Sequence, residues 1–259
     1  MTYPPEQHIL RDLAFSGTRS PELATNSMEI TPGLCGREGV RLGVLATLVD
    51  VTGAGIALHA VQPDWIATAD LQTHILRPVT EGPVSIECRP LRVGARSVVI
   101  DAQLRDAEGT LCGTGRMAFA RIPGSATKVE IVEALDPAPT AHRMEGGSPV
   151  DEPLIERCGM ELVGPGQLRF DKSPYIENSF GSVNGGVLAL AAEAAAVSAT
   201  GGGHALDLHI HYLEQIGDGP LAVTAEVVRD QQHSRLCTVR VEDRAHGRLV
   251  STADVLVSG

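Results

Sequence analysis

The 259-residue chain is 43% hydrophobic and 20% charged but only 3% aromatic, so its core is expected to be built from small aliphatic side chains. A net charge of -11, with no segment that concentrates Lys and Arg, argues against nucleic acid as a partner. No apolar run approaches the ~18 residues of a membrane span, and the opening "MTYPPEQHILRDL" lacks the basic-then-apolar order of a signal peptide, so a cytoplasmic chain without membrane contact is expected.

In chain order, the first signal is "NSMEITPGLC" (26–35), a less regular counterpart of the hairpin that opens the second half, followed by an apolar helix, "GVLATLVDVTGAGIA", beginning at Gly43. A strand, "TADLQTHILRPVTEGP" (68–83), comes next, in which Thr68, Asp70, Gln72 and His74 alternate with Ala69, Leu71, Thr73 and Ile75. That alternation places Thr68 on the polar face. Two further strand runs meet at a hairpin centred on Gly109. Residues 125–150 are rich in Pro, Gly and Ser, keep no period, and read as a linker between domains at 1–124 and 151–259.

The order then begins again. A hairpin runs through Gly164-Pro165-Gly166, a helix "GVLALAAEAAAVSAT" begins at Gly186, "ALDLHIHYLEQIGDGP" (205–220) reads as a strand, and a last hairpin turns at Gly247. Both helices open with Gly-Val-Leu-Ala and carry an acid seven residues later, Asp50 in the first and Glu193 in the second. Self-similarity of this kind implies two copies of one α+β unit, fused as a pseudo-dimer with the helices near a pseudo-two-fold axis.

The second helix has almost no polar face, so it should be enclosed by a curved sheet. Asn184 is a good N-cap, and Gly185 and Gly186 leave the first helical N–H groups open to an anion or a carbonyl oxygen. Gly185 and Glu193 lie about 12 Å apart along one helix, too far to serve one reacting carbonyl. If the two helices run antiparallel, each site combines amides from one half with the acid of the other.

The five cysteines, Cys35, Cys88, Cys112, Cys158 and Cys237, are scattered and odd in number and contain no C-x-x-C pair, so buried thiols are expected. His204, His209 and His211 cluster in "GGGHALDLHIHYL", but the sequence places no third donor beside them, and no metal is expected.

These residues resemble the hotdog-fold acyl-CoA thioesterases, in particular the phenylacetate-pathway and 4-hydroxybenzoyl-CoA types, over roughly 25–122 and 153–258. The resemblance implies two tandem hotdog folds, each a curved antiparallel sheet around a central helix. It matches Asn178 to the family's first Asn, Gly185-Gly186 to its glycine pair and Glu193 to its helix acid, while Asn184 stands where His is usual and Ala205 where the strand hydroxyl belongs. In the first half Asp50 matches the acid and Thr68 the hydroxyl, but Cys35, Arg41 and Leu42 replace the Asn, the His and the first glycine.

Combined with antiparallel helices, the resemblance implies one working site of Asp50, Thr68, Asn178, Asn184, Gly185 and Gly186. It implies a second, decayed site of Glu193, Cys35, Arg41, Leu42 and Ala205. Arg77, Arg92 and Arg96 are weaker candidates for the phosphates of coenzyme A, which enters as part of the substrate; no separate cofactor is expected. By the same analogy two double hotdogs would pair as a homodimer. Competing expectations are a non-catalytic acyl-CoA binding module and a hotdog dehydratase or hydratase, the latter disfavoured because no His precedes either acid within twenty residues.

Overall fold

A computed structural model of the chain describes residues 3–124 and 140–259. The first half contains β1 (Ser16–Arg19), β2 (Ala24–Met28), β3 (Trp65–Ile75), β4 (Val84–Val93), β5 (Ser97–Arg105), β6 (Leu111–Ile122) and β7 (Thr140–Arg143). The second half contains β8 (Glu161–Gly164), β9 (Gln167–Phe170), β10 (Ala205–Tyr212), β11 (Leu221–Gln231), β12 (Ser234–Asp243) and β13 (Arg248–Ser258). Two long helices, α2 (Leu42–Val61) and α4 (Gly185–Ala199), are accompanied by two single turns, α1 (Ile9–Asp12) and α3 (Leu154–Arg157).

All described strands join one antiparallel sheet in the order β7-β1-β2-β4-β5-β6-β3-β10-β13-β12-β11-β9-β8. The two halves meet at β3 and β10, which pair from Asp207 opposite His74 to His211 opposite Asp70. Each half curves its strands around its own long helix, the arrangement of two tandem hotdog folds. The linker expected at 125–150 is only partly within the described residues. Thr140–Arg143 pairs with β1 along its whole length, and the Val150 carbonyl accepts from the Gly33 N–H at 3.0 Å and the Thr31 hydroxyl at 2.6 Å. That part of the segment belongs to the first half's sheet edge.

α2 is 20 residues long and apolar enough to cross a membrane by length and composition, a feature the sequence reading missed. Its apolar side chains are instead turned into the sheet: Leu42, Val44, Leu45, Leu48, Val49, Ile56 and Ala57 are all buried. A helix apolar all round is a core helix when protein surrounds it.

The helices cross with the first turn of each against the backbone further along the other. A Cβ on Gly43 would overlap the backbone of Leu190, and one on Gly186 would overlap Thr47. Since Leu190 and Thr47 each lie four residues beyond the equivalent glycine, the contact is self-complementary, as a two-fold requires. Only glycine allows the axes to come this close.

The helix contact therefore gives a direct test. Gly43→Ala should lower unfolding stability by about 1–3 kcal/mol through overpacking. Gly55→Ala, on the same helix with open space where its Cβ would stand, should be neutral or gain up to about 1 kcal/mol from helix propensity. Urea unfolding of both variants beside wild type measures the difference.

Candidate active site

The antiparallel crossing carries each helix's acid to the opposite helix's N-terminus, and the two acids are used differently. Glu193 is 2% exposed. Its Oε1 accepts the Leu42 N–H at 3.2 Å and its Oε2 the Gly43 N–H at 2.9 Å. Arg41, at the N-cap of α2, offers no side-chain cap, so the carboxylate of α4 caps α2 from across the interface. Burial pushes its pKa up, opposed by the Arg41 charge and the two amides. Both of its oxygens are occupied.

Asp50 is also buried, yet α4 already has a cap of its own: the Asn184 side chain accepts the Gly186 N–H at 2.9 Å. The Gly186 N–H therefore has Asn184 as its hydrogen-bond acceptor and only leans on the Asp50 carboxylate, which is not needed as the helix cap. Its Oδ1 accepts the Thr68 hydroxyl at 2.8 Å. A Cβ added at Gly185 would stand 2.9 Å from its Oδ2 and 3.3 Å from the Tyr212 ring and hydroxyl, so glycine keeps this gap open. The Gly185 N–H has no partner among the described residues. Burial raises the Asp50 pKa to about 6, against the opposing pull of the Thr68 hydroxyl and the Gly186 amide.

Thr68 reaches Asp50 because of a backbone irregularity that the sequence did not reveal. The β3–β6 register shifts between Thr68 and Asp70, with Thr68 opposite Phe119 and Asp70 opposite Ala118. One extra residue at Ala69 reverses the side-chain phase. Thr68 consequently turns inward to the helix acid, while Asp70 stays outside, which corrects the expectation that the two share a face. β10 has the same shift between Ala205 and Asp207, and Ala205 is fully buried. The second half thus has the bulge without the hydroxyl.

A cavity of about 1090 Å³ opens at this point. Asp50, Thr68, Asn178, Asn184 and Gly185 all line it, and Cys35, Arg41 and Glu193 do not. Asn178 acts mainly on its own loop: its Oδ1 accepts the N–H groups of Phe180 at 2.9 Å and Ser182 at 3.1 Å. That loop sets Phe180 edge-on against Trp65, with ring centroids 5.4 Å apart. Cys35 is half-buried beside its β-bridge partner Val40, and burial pushes its thiol pKa up.

Arg77, Arg92 and Arg96, the expected contacts of the coenzyme A phosphates, do not line the cavity. Arg77 lies beyond the far end of β3, whose Ile75 terminus is about 23 Å along the strand from Thr68, and pairs with Asp106. Arg92 and Arg96 sit at the β4–β5 hairpin, nearer the Thr68 end, where the Arg96 carbonyl accepts the Arg121 N–H at 2.9 Å.

Residues overlooked in the sequence include Tyr212, whose hydroxyl donates to the Gly185 carbonyl at 2.8 Å, and the cavity residues Tyr3, Arg19 and His59. None stands in a motif, so only the folded chain could nominate them. The third donor beside the histidine pair was also missed. Asp70 Oδ2 lies 2.8 Å from both His209 Nε2 and His211 Nδ1, with all three donor atoms within 4.8 Å. The cluster is on the outer face of the β3–β10 seam, outside the cavity, and the buried His204 is not part of it.

Comparison with known proteins supplies the family context. Residues 42–113 match the thioesterase superfamily model and residues 176–258 the model of the acyl-CoA thioesterase N-terminal domain. Two Saccharolobus solfataricus proteins that carry the name esterase are 32% and 33% identical over 69 and 70 residues, each match covering 27% of this chain. The matches span about half the length of those relatives, 49% and 47%. Among solved structures, an acyl-ACP thioesterase from Bacteroides thetaiotaomicron superposes with a TM-score of 0.61 at 16% identity, over 92% of this chain and 98% of its own. A Lactobacillus plantarum protein named as an oleoyl thioesterase gives 0.65 at 12% identity, over 91% and 96%.

The raised Asp50 pKa predicts a stability signature. The folded state holds this proton more tightly than the unfolded chain, whose Asp titrates near 3.8, so the Asp50 contribution is most favourable below that pH and is lost as pH rises through about 6. Asp50→Asn should leave stability nearly unchanged at pH 4 and raise it above pH 7 by up to about 3 kcal/mol. Urea unfolding of both proteins across this range would reveal it.

Proposed function

Because this chain belongs to the thioesterase superfamily of hotdog-fold proteins, we propose that it hydrolyses an acyl-CoA thioester at one composite site shared by its two halves. The observation that carries the reading is the asymmetry of the acids: Asp50 lines a large cavity, whereas Glu193 is fully engaged as a helix cap. A buried carboxylate beside a helix start that already has its own cap is costly to keep unless it has chemistry to perform.

In this reading the thioester carbonyl oxygen takes the Gly185 N–H at the positive end of α4. One such oriented donor typically contributes 10²- to 10³-fold in rate. Asp50, with a pKa of about 6, is ionised at neutral pH and basic enough to remove a proton from water as it attacks the carbonyl carbon. The Thr68 hydroxyl holds the carboxylate in place. Collapse of the tetrahedral adduct breaks the C–S bond, the thiolate leaves as coenzyme A and takes up a proton, and the acyl group departs as a carboxylic acid. Asn178 and Asn184 position the loop and the helix end.

Release of free thiol from short, medium, long-chain and aryl acyl-CoAs tests this assignment. Asp50→Asn should lose at least 10²-fold in kcat, with wild-type kcat rising with pH through about 6. Glu193→Gln should stay within several-fold of wild type. The opposite pattern would move the working site to the other half, and acyl-CoA binding without thiol release would make the protein a binding module.

The reading also includes a cytoplasmic homodimer of double hotdogs. Leu91 and Val93 on β4 and Val227 and Val228 on β11 are exposed apolar side chains that such a pairing would cover. Sedimentation velocity should give twice the mass of one chain, 27.3 kDa.

A further inference from the structure

The cavity extends well past the reacting centre. It follows one stripe of α2 through Asp50, Ala54, Leu58 and His59, with Leu188 and Phe119 among the facing walls. Nine residues of helix separate Asp50 from His59, about 13 Å of axial distance. This length is apolar for most of its course, as an acyl chain requires.

Its distal part is not apolar. Arg19, on β1, lines the cavity together with His59, and Arg19 Nε and His59 Nδ1 are both buried nitrogens with no hydrogen-bond partner among the described residues. The two side chains are close enough for the Arg19 charge to help burial hold the His59 pKa down. Arg19 has no ion-pair partner among the described residues, although acids outnumber bases by 32 to 21 in the chain. A guanidinium carries a permanent charge and five donors, and a partly buried one without a counter-charge is poorly satisfied by a hydrocarbon chain end.

Resting on the thioesterase reading above, we propose that the acyl group taken by this cavity ends in a carboxylate, bound by Arg19 and His59 at the end opposite Asp50. The substrate is then the mono-thioester of a dicarboxylic acid. Its thioester lies at Asp50 and Gly185, its methylene chain along the α2 stripe, and its free carboxylate on the Arg19 guanidinium with His59 Nδ1–H donating beside it. The coenzyme A moiety leaves past Glu214 and Gln215, which line the same cavity but are solvent-exposed, whereas Arg19 and His59 are half-buried. The other anion such a pair could bind is a phosphate of coenzyme A itself, and the two sources predict different kinetics.

The experiment compares kcat/KM for adipoyl-, suberoyl- and sebacoyl-CoA with that for hexanoyl-, octanoyl- and decanoyl-CoA in wild type, Arg19→Met and Arg19→Lys. Wild type should favour at least one ω-carboxyl ester by about 10-fold or more over its alkyl partner, the size expected for one charge-assisted hydrogen-bonded pair. Arg19→Met should cut that preference at least 10-fold, chiefly through KM, and Arg19→Lys should restore part of it. A wild type that prefers the alkyl series overturns the proposal. So does an Arg19→Met variant that loses both series equally and is less inhibited by free coenzyme A, which would assign Arg19 to a phosphate. If neither series releases thiol, the hydrolase reading fails by itself, and calorimetric binding of suberoyl-CoA against octanoyl-CoA to wild type and Arg19→Met still decides the subsite.

Discussion

The close crossing of α2 and α4 is the constraint on which the rest of the molecule depends. Gly43 against Leu190 and Gly186 against Thr47 bring the two backbones into contact at equivalent points. The first turn of each helix thereby lies beside the middle of the other. A bulkier residue at either glycine would separate the axes and withdraw each carboxylate from the amides it faces. The continuous sheet reinforces the arrangement, because β3 and β10 pair across the same pseudo-two-fold and fix the two halves in register.

Within this symmetric frame, small local differences give the two acids different chemistry. Where Arg41 leaves a helix start uncapped, the buried Glu193 accepts the Leu42 and Gly43 N–H groups, and those amides with the neighbouring guanidinium offset part of the burial that raises its pKa. Where Asn184 caps its own helix, Asp50 keeps the Thr68 hydroxyl as its hydrogen-bond partner, a weaker pull from the Gly186 amide, and a side open to the cavity. Burial then raises its proton affinity toward the neutral range. The same fold position can therefore serve as a structural cap or as a group free to react, depending on the residue at the opposing N-cap.

The bulges show how a backbone feature can be shared while its chemistry differs. Both seam strands carry one at the equivalent place, and both turn the preceding residue inward. In β3 that residue is Thr68, whose hydroxyl holds Asp50; in β10 it is Ala205, which fills space alone. Beyond the bulge the outward phase aligns Asp70 with His211 and Asp207 with His74 across the seam, producing polar pairs on the outer face.

The sequence by itself determined the class of structure and the principal actors. Hydrophobic periodicity, the Asn-Gly-Gly helix start, the hairpin glycines and acids at a common offset are properties of neighbouring residues, and such patterns survive in a linear reading. The tertiary structure alone decided which partners those residues meet. The bulge that turns Thr68 inward, the capping of α2 by Glu193, the strand at 140–143 and the placement of Asp70 beside two histidines all depend on strand register or helix crossing. Arg19 and His59 belong to the same class, since 40 positions of sequence separate them and they come together only around a cavity. Contacts of this kind are fixed by how elements pack against one another, and local propensity contains no term for that.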